Sequence, residues 1–459
     1  MAAPDRWRPT AAHAAAVALW LVAWQLASVA LAQPLILPGP VEVLSALGGL
    51  VSTPTFWSKV GFSLARIVGG CALAYAVAGL LAWASGASCL VRIALRPPLV
   101  AIKATPVACV VVLLLIWLGA ANVSFAAVFL MALPGVYFAL VEGLDHVDAR
   151  MDELLRVGGV RGPRRWLALT WPAVLPFLEA ASEVVVGMAW KAGVAAELIG
   201  TPLGSIGERI YQAKLLLDTP ALFAWTVVVV CLATVCERTF LLALRGSGRL
   251  TLGLSVRLRP RVRAAAPEAA PATVAIEGEV LPHGAAAGRP LSVSVGPADR
   301  LCVTGPSGAG KTTLLRALAR AAGGRVSFDF QDARLFDGAS AFQNAALTAA
   351  PWRTDDDVRR MLAQALPDVD LGRPVAELSG GQRRRVELVR ALAAGGGLVV
   401  LDEPFSGLDA PTHAAMCSLV LRELRGRSLV VATHDPSDAR ALCAETFEVP
   451  VSFSSAMEV

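Results

Sequence analysis

Charge is scarce in this sequence: Asp, Glu, Lys and Arg make up 17% of its 459 residues, whereas 55% are hydrophobic. Soluble domains carry about 25% charged residues, so a wholly water-exposed chain is excluded. The scarcity is local. Residues 1–245 contain long uncharged runs, while the composition after about residue 273 is that of a soluble α/β domain. Cysteine is sparse too. The eight cysteines, at positions 71, 89, 109, 231, 236, 302, 417 and 443, form no C-x-x-C pair. That pattern argues against a metal site or a disulfide framework and for small buried hydrophobes. The arginine clusters flank apolar runs, so nucleic acid is not expected as a partner. The first apolar run near the N-terminus is expected to be an uncleaved span rather than a cleaved signal peptide. The net charge of +5 says little about partners. The length points to two or more domains.

A helix crossing a bilayer needs about 20 mostly apolar residues. Six candidate spans lie near 14–32, 62–84, 105–119, 123–143, 172–199 and 221–243. The third is short, and the preceding "LVRIALRPPLVAIKATP" is expected to lie along the interface and feed into it. Basic residues set the orientation. With the N-terminus inside, the inner segments hold Arg6, Arg8, Arg92, Arg96, Lys103, Arg150, Arg156, Arg161, Arg164 and Arg165. They also hold the six arginines of 245–263, where no acid occurs. The outer segments hold little beyond Lys59, Arg209 and Lys214. The fifth span carries Glu179, Glu183, Lys191 and Glu197. Charges at membrane depth either face a water-filled path or pair with one another near an interface. Lys191, Glu183 and Glu197 are therefore candidate translocation-path residues, with Lys191 available to an anionic solute. Residues 246–272 are rich in Gly, Arg, Ala and Pro without an apolar helical period and read as a tether. Its arginines lie in solvent or against anionic head groups.

Residues 273–459 read as an α/β domain. A short apolar strand at 301–304 runs into Gly305-Pro306-Ser307-Gly308-Ala309-Gly310-Lys311-Thr312-Thr313, followed by a helical pattern of leucines. This strand–loop–helix context suits a phosphate-binding loop: glycines let backbone N–H groups wrap phosphates at a helix N-terminus. Lys311 is positioned to meet the β- and γ-phosphates, and the Thr312 hydroxyl to hold Mg²⁺. A second apolar strand, "LVVLDEP", ends in Asp402 and Glu403. Carboxylates at the carboxyl end of a parallel strand face the ligand crevice. Asp402 would hold the metal and Glu403 polarise the attacking water.

Between these segments Leu378-Ser379-Gly380-Gly381-Gln382 precedes a basic amphipathic pattern. It resembles the signature motif of ABC-transporter ATPases. Gln331 in "FDFQDARLF" resembles the Q-loop, "SGLD" at 406–409 the D-loop, and His434 after an apolar strand the switch histidine. The resemblance covers about residues 273–445. It implies that two copies join head to tail, Ser379, Gly380, Gly381 and Gln382 of one closing over ATP on Lys311 of the other. It also implies that Gln331 touches the metal and His434 the γ-phosphate. ATP and Mg²⁺ are the expected cofactors. In ABC importers a cytoplasmic loop of the membrane subunit carries E-A-A-x-x-x-G, with a proline about thirteen residues later. Here Glu153 and Gly159 stand six apart and Pro172 thirteen beyond, with Leu154 and Leu155 in place of the alanines. The segment around 151–170 therefore resembles a coupling helix.

The chain departs from the family in three places. About twenty residues separate Lys311 from Gln331, so the small antiparallel β subdomain is trimmed. No aromatic precedes "LSVSV" to stack adenine, and His283 is the candidate substitute. After the Q-loop the chain reads "LFDG" rather than Leu-Pro-Trp. More of the N-terminal half is similar to permeases of nitrate, taurine and aliphatic-sulfonate importers. The expected fold is thus an α-helical transmembrane domain of about six spans (1–245), a linker (246–272) and an α/β P-loop NTPase domain of ABC type (273–459). The resemblance implies a fused half-transporter in a bacterial inner membrane, its ATPase in the cytoplasm. It would work as a homodimer and import a small anion delivered by a separate solute-binding protein. Import of a pyrimidine-like vitamin precursor and, further off, export remain the alternatives.

Overall fold

The computed structural model describes residues 10–33, 35–261, 273–280, 290–323 and 326–450. In chain order, α1 (Thr10–Leu31), α2 (Pro40–Val51), α3 (Pro54–Ala87), α4 (Cys89–Ala104), α5 (Val107–Leu118) and α6 (Val123–Asp145) come first. Then follow α7 (Ala149–Val157), the one-turn α8 (Pro163–Arg165), α9 (Trp171–Gly200), α10 (Ile206–Leu215) and α11 (Thr219–Arg257). The chain divides into two compact units. One comprises Met1–His146 with Val174–Ser247, the other Val147–Ala173 with Gly248–Val459.

Among the described residues five helices are long and apolar enough to cross a membrane: α1, α3, α6, α9 and α11. The expected third span is different. α5 is only 12 residues long and meets α4 at a bend of 104°, so the two make a sixth span only as a broken pair. Pro106 explains the break: its ring restricts Thr105 to extended backbone, and its missing N–H cannot continue the helix. The short helices α2 and α10 were not legible as periodic segments.

Close packing in this unit rests on small residues. Gly70, Ala74, Ala78 and Ala82 recur every fourth residue and are buried on one face of α3. That spacing lets backbones approach closely where lipid offers no hydrophobic drive between helices. At Gly70 a Cβ would lie 2.4 Å from the Phe125 carbonyl oxygen on α6. At Gly193 on α9 it would lie 2.6 Å from Ile67 Cγ1. Hydrogen bonds add register: Ser85 Oγ with Tyr137 Oη (2.8 Å), and Tyr75 Oη with Ser182 Oγ (2.7 Å). Large apolar side chains such as Trp20, Trp83 and Leu90 point outward, more than 70% exposed, as lipid-facing residues do.

The second unit is built on a sheet. β1 (Val274–Val280) and β2 (Pro290–Val295) pair antiparallel. β3 (Arg300–Thr304), α12 (Lys311–Ala321), β4 (Val326–Asp329), α13 (Ala341–Leu347), α14 (Asp355–Ala365) and α15 (Gly380–Ala393) follow. β5 (Leu398–Asp402), α16 (Ala410–Leu424), β6 (Ser428–Ala432), α17 (Pro436–Ala441) and β7 (Glu445–Glu448) complete it. Strands β3 to β7 form one parallel sheet in the order β4-β5-β6-β3-β7. All five residues of β5 and of β6 are buried, as strands covered on both faces require.

The expected tether differs from the structure at its start. α11 continues to Arg257, and Thr251, Ser255 and Val256 are buried. Arg259 is not in solvent or on a head group: its side chain is 1% exposed, pairs with Asp355 (2.9 Å) and donates to the Arg353 carbonyl (2.8 Å). The buried stripe is Thr251, Ser255 and Arg259, four residues apart but not apolar, so hydropathy did not reveal it. Residues 262–272 lie outside the described residues.

Replacing Gly70 by Ala is expected to destabilise the detergent-solubilised protein by about 1–3 kcal/mol, the usual cost of overpacking. Gly79→Ala, where a Cβ meets nothing within 4 Å, is the control. Thermal unfolding of the two variants side by side checks this.

Candidate functional site

The carboxyl ends of β3, β5 and β6 lie side by side and carry the site. After β3 the loop 305–310 turns with Gly305, Gly308 and Gly310 at φ of 148°, 78° and 102°. Only glycine takes such angles cheaply. Lys311 begins α12 and is buried. Its Nζ donates to the carbonyls of Gly305 (2.7 Å) and Pro306 (3.1 Å), so the ammonium lies across the loop mouth. Within the loop Pro306 O accepts from Ala309 N (3.2 Å), and Ala309 is fully buried. Ser307 and Gly308 are exposed, and Thr313 is half-buried behind Thr312.

β5 ends at Asp402, whose Oδ2 accepts a hydrogen bond from Thr312 Oγ1 (2.7 Å). Burial pushes the Asp402 carboxyl up, against the lowering effect of Thr312. The hydroxyl and carboxylate oxygens expected to hold Mg²⁺ are therefore in contact, a hard-oxygen donor set that fits the ion. Next comes Glu403, at φ 49° and held there by its N–H donating to Ala432 O (2.9 Å). A left-handed non-glycine residue costs about 1–3 kcal/mol. Its Oε1 lies 3.9 Å from Nδ1 of His434, which follows β6. Gln331 stands exposed two residues beyond the end of β4. His283 lies outside the described residues.

The signature segment is placed elsewhere. Ser379 caps α15 in a reciprocal box: Gln382 N donates to Ser379 Oγ (3.3 Å) and Ser379 N to Gln382 Oε1 (2.9 Å). Gly380 is exposed and Gly381 half-buried. Among the described residues no hydrogen bond or ion pair joins 379–382 to the loop 305–313.

The loop 147–173 belongs to the same compact unit as the sheet. Gly159, at φ 72°, closes α7 in the left-handed conformation, with Val160 N donating to Leu155 O (2.8 Å). Leu154 and Leu155 are buried in the core cluster that also holds Phe328 and Leu347. The large residues standing where the family has alanines are thus core anchors. The neighbouring glycine, which the sequence did not single out, makes the close approach: a Cβ on Gly158 would lie 2.5 Å from Thr348 Cγ2. Glu153 receives a hydrogen bond from Arg334 Nη1 (2.8 Å), and Arg334 is 3% exposed. Arg334 also stacks on Phe330, 3.5 Å from the ring centroid. Sequence reasoning passed over this arginine, although it stands three residues after Gln331.

The candidate path residues do not come together. Glu183 pairs with Arg245 (3.4 Å) and not with Lys191, and Lys191 is exposed. Glu197 is fully buried; its Oε2 accepts from Ser63 Oγ (2.7 Å) and from Gly207 N (3.2 Å) in the first turn of α10.

Burial pushes the Asp329 carboxyl up to about 7, only partly countered by Arg384. Its folded state therefore holds the proton more tightly than the unfolded chain, whose reference value is 3.8. The resulting stabilisation is complete below about pH 4 and is lost as pH rises through 7. Thermal unfolding temperatures at pH 6 and pH 8 are expected to fall with pH, and to fall less in Asp329→Asn.

Comparison with known proteins places both halves. Residues 289–406 match the family model described as ABC transporter. Residues 75–243 match the model for the binding-protein-dependent transport system inner membrane component. The C-terminal half is 36% identical over 178 residues to the thiamine import ATP-binding protein ThiQ of Ruegeria sp., covering 33% of this chain and 77% of that protein. It is 35% identical over 180 residues to the taurine import ATP-binding protein TauB of Pseudomonas putida, covering 34% and 68%. It is 36% identical over 172 residues to the aliphatic sulfonates import ATP-binding protein SsuB 2 of Agrobacterium fabrum, covering 33% and 66%. The chain belongs to the ABC transporter family, an inner-membrane permease component and a cytoplasmic ATPase joined in one polypeptide.

Proposed function

We propose that this chain is one half of an ATP-driven importer, that two copies make the working transporter, and that its solute is a small anion such as taurine, another sulfonate or nitrate. A separate solute-binding protein would deliver the solute from outside. The observation that carries the ATPase reading is the meeting of Lys311, Thr312, Asp402, Glu403 and His434 at one edge of the sheet. Lys311 would cradle the β- and γ-phosphates with the amides of 305–313. Thr312, Asp402 and, from the end of β4, Gln331 would hold Mg²⁺, which when bound neutralises developing phosphate charge. Glu403 would accept the proton of the attacking water. His434, within reach of both that carboxylate and a γ-phosphate, would orient the two.

Two copies are favoured by the signature segment. Ser379 to Gln382 present an exposed helix N-terminus that no nucleotide loop of the same chain meets. Facing a second copy, that N-terminus would close the nucleotide between subunits. The lever is assigned to 147–173, with Glu153 and Gly159 as coupling residues, because this segment packs into the ATPase core. Import and the anion are favoured by the taurine and sulfonate relatives, and Lys191 is the cation of the fifth span available to such a solute. Similarity to a thiamine import protein keeps a pyrimidine-bearing vitamin or precursor as the second reading.

Glu403→Gln is expected to lower steady-state ATP hydrolysis by about 10²- to 10⁴-fold, the usual contribution of a positioned base. Nucleotide should remain trapped in a species of twice the protomer mass. Turnover and light-scattering mass with ATP, measured on purified protein, check both. Undiminished turnover would remove Glu403 from its role, and a protomer mass would remove the paired site.

A further inference from the structure

A run of buried charge links Glu153 to the metal-site aspartate. Arg334 joins Glu153 through Nη1, and its backbone N donates to Glu387 Oε1 (2.6 Å). Glu387 Oε2 accepts from Arg384 Nη1 (3.2 Å). Arg384 Nη1 also donates to Phe330 O (2.8 Å), and its Nη2 to the Asp402 carbonyl. Asp402 in turn accepts from Thr312. The chain of contacts is continuous from the loop 147–173 to the phosphate loop. Glu387, Arg390 and Asp402 are each 2% exposed, and Asp329 is fully buried beside them, 3.2 Å from Arg384 Nη2.

We propose that the contacts Glu153–Arg334–Glu387–Arg384–Asp402 form the link through which loop 147–173 sets the geometry of the ATP site, with Arg334 and Arg384 as positioning residues. The proposal rests on reading that loop as the coupling element. Three features support it. Buried charges cannot lose a partner without a large penalty, so groups in such a chain shift together. Arg384 and Glu387 sit on α15, the helix that presents Ser379 to Gln382, so one displacement reaches both faces of the proposed nucleotide sandwich. The network also has spare valence. Arg390 Nη2, Arg390 Nε, Arg334 Nε and both Asp329 oxygens are buried without a hydrogen-bond partner. A second pairing of the same charges is thus available, which a two-state coupling element requires.

The test is a mutant cycle on the full-length chain in lipid nanodiscs, read as kcat and KM for ATP hydrolysis. Glu153 is 37% exposed, so Glu153→Ala should fold normally. It is expected to lower kcat about tenfold, within the usual 5- to 150-fold range of site-to-site coupling, with KM for ATP changed less than about twofold. Glu153→Gln, which keeps an acceptor for Arg334, should recover most of the loss. Glu387→Gln should also lower kcat, and the double variant Glu153→Ala/Glu387→Gln should lose no more than the worse single. If Glu387→Gln does not fold, Arg334→Lys takes its place in the cycle. Multiplying losses would mean independent sites and overturn the link. Gly158→Ala, which pushes the loop off Thr348, separates the two readings. If it lowers kcat while Glu153→Ala does not, the loop acts by another route and the link is overturned. If neither lowers kcat, the coupling role of the loop falls as well.

Discussion

The parallel pairing of β3 with β6, and of β6 with β5, is the constraint on which the ATP edge depends. Registers such as Val303 with Ala432 and Asp402 with Ala432 bring three strand ends level. Three short segments far apart in sequence then become neighbours: the phosphate loop, the Asp402-Glu403 pair and the turn bearing His434. The register also has a local consequence. Glu403 N–H reaches the Ala432 carbonyl, and this bond holds Glu403 in its left-handed conformation with its carboxylate toward His434. Sliding β6 by one residue would bury the histidine and undo the arrangement, because side chains alternate faces along a strand.

The same sheet explains why the unit tolerates so much charge in its core. Burial of an ion costs several kcal/mol unless partners surround it. Asp329 ends β4, Asp402 ends β5, and Arg384, Glu387 and Arg390 project from α15. A hydrophobic substitute of equal volume would stabilise the fold as well or better. The half-exposed Glu153 and the buried Asp402 lie at the two ends of this run of contacts.

Much of this was legible in the sequence because each ATP-site motif is contiguous. The loop 305–313, the Ser379–Gln382 turn and the Asp402-Glu403 pair carry their chemistry within a few residues, and strand and helix patterns flank them. What was not legible depends on contacts distant in sequence. Arg334 has no periodic signature, and its meaning comes from Glu153, 181 residues away. The extension of α11 beyond residue 245 was hidden because two of its buried residues, Thr251 and Ser255, are polar and only Val256 is apolar. In the fifth span Glu183 pairs with Arg245 of another helix, a contact that spacing within the span does not reveal. The glycine of α7 was read through its family spacing as Gly159, whereas steric necessity falls on two residues: Gly159 for its φ, and Gly158 for its closeness to Thr348.

Glu197 illustrates how a buried charge can belong to architecture rather than to transport. It sits in an apolar helix, fully removed from solvent, and its Oε1 is buried without a hydrogen-bond partner among the described residues. Its Oε2 takes a hydroxyl from α3 and an amide from the first turn of α10, and Ser63 Oγ accepts from Ile206 N (2.9 Å). Two first-turn amides of α10 thus find acceptors on other helices while Ser205 Oγ caps Glu208 N (3.0 Å), and three elements are tied at one point. A Cβ on Gly207 would lie 2.3 Å from Glu197 Cβ, so the amide reaches the carboxylate only because that residue is glycine. Lys191, by contrast, is exposed and has no ion pair among the described residues.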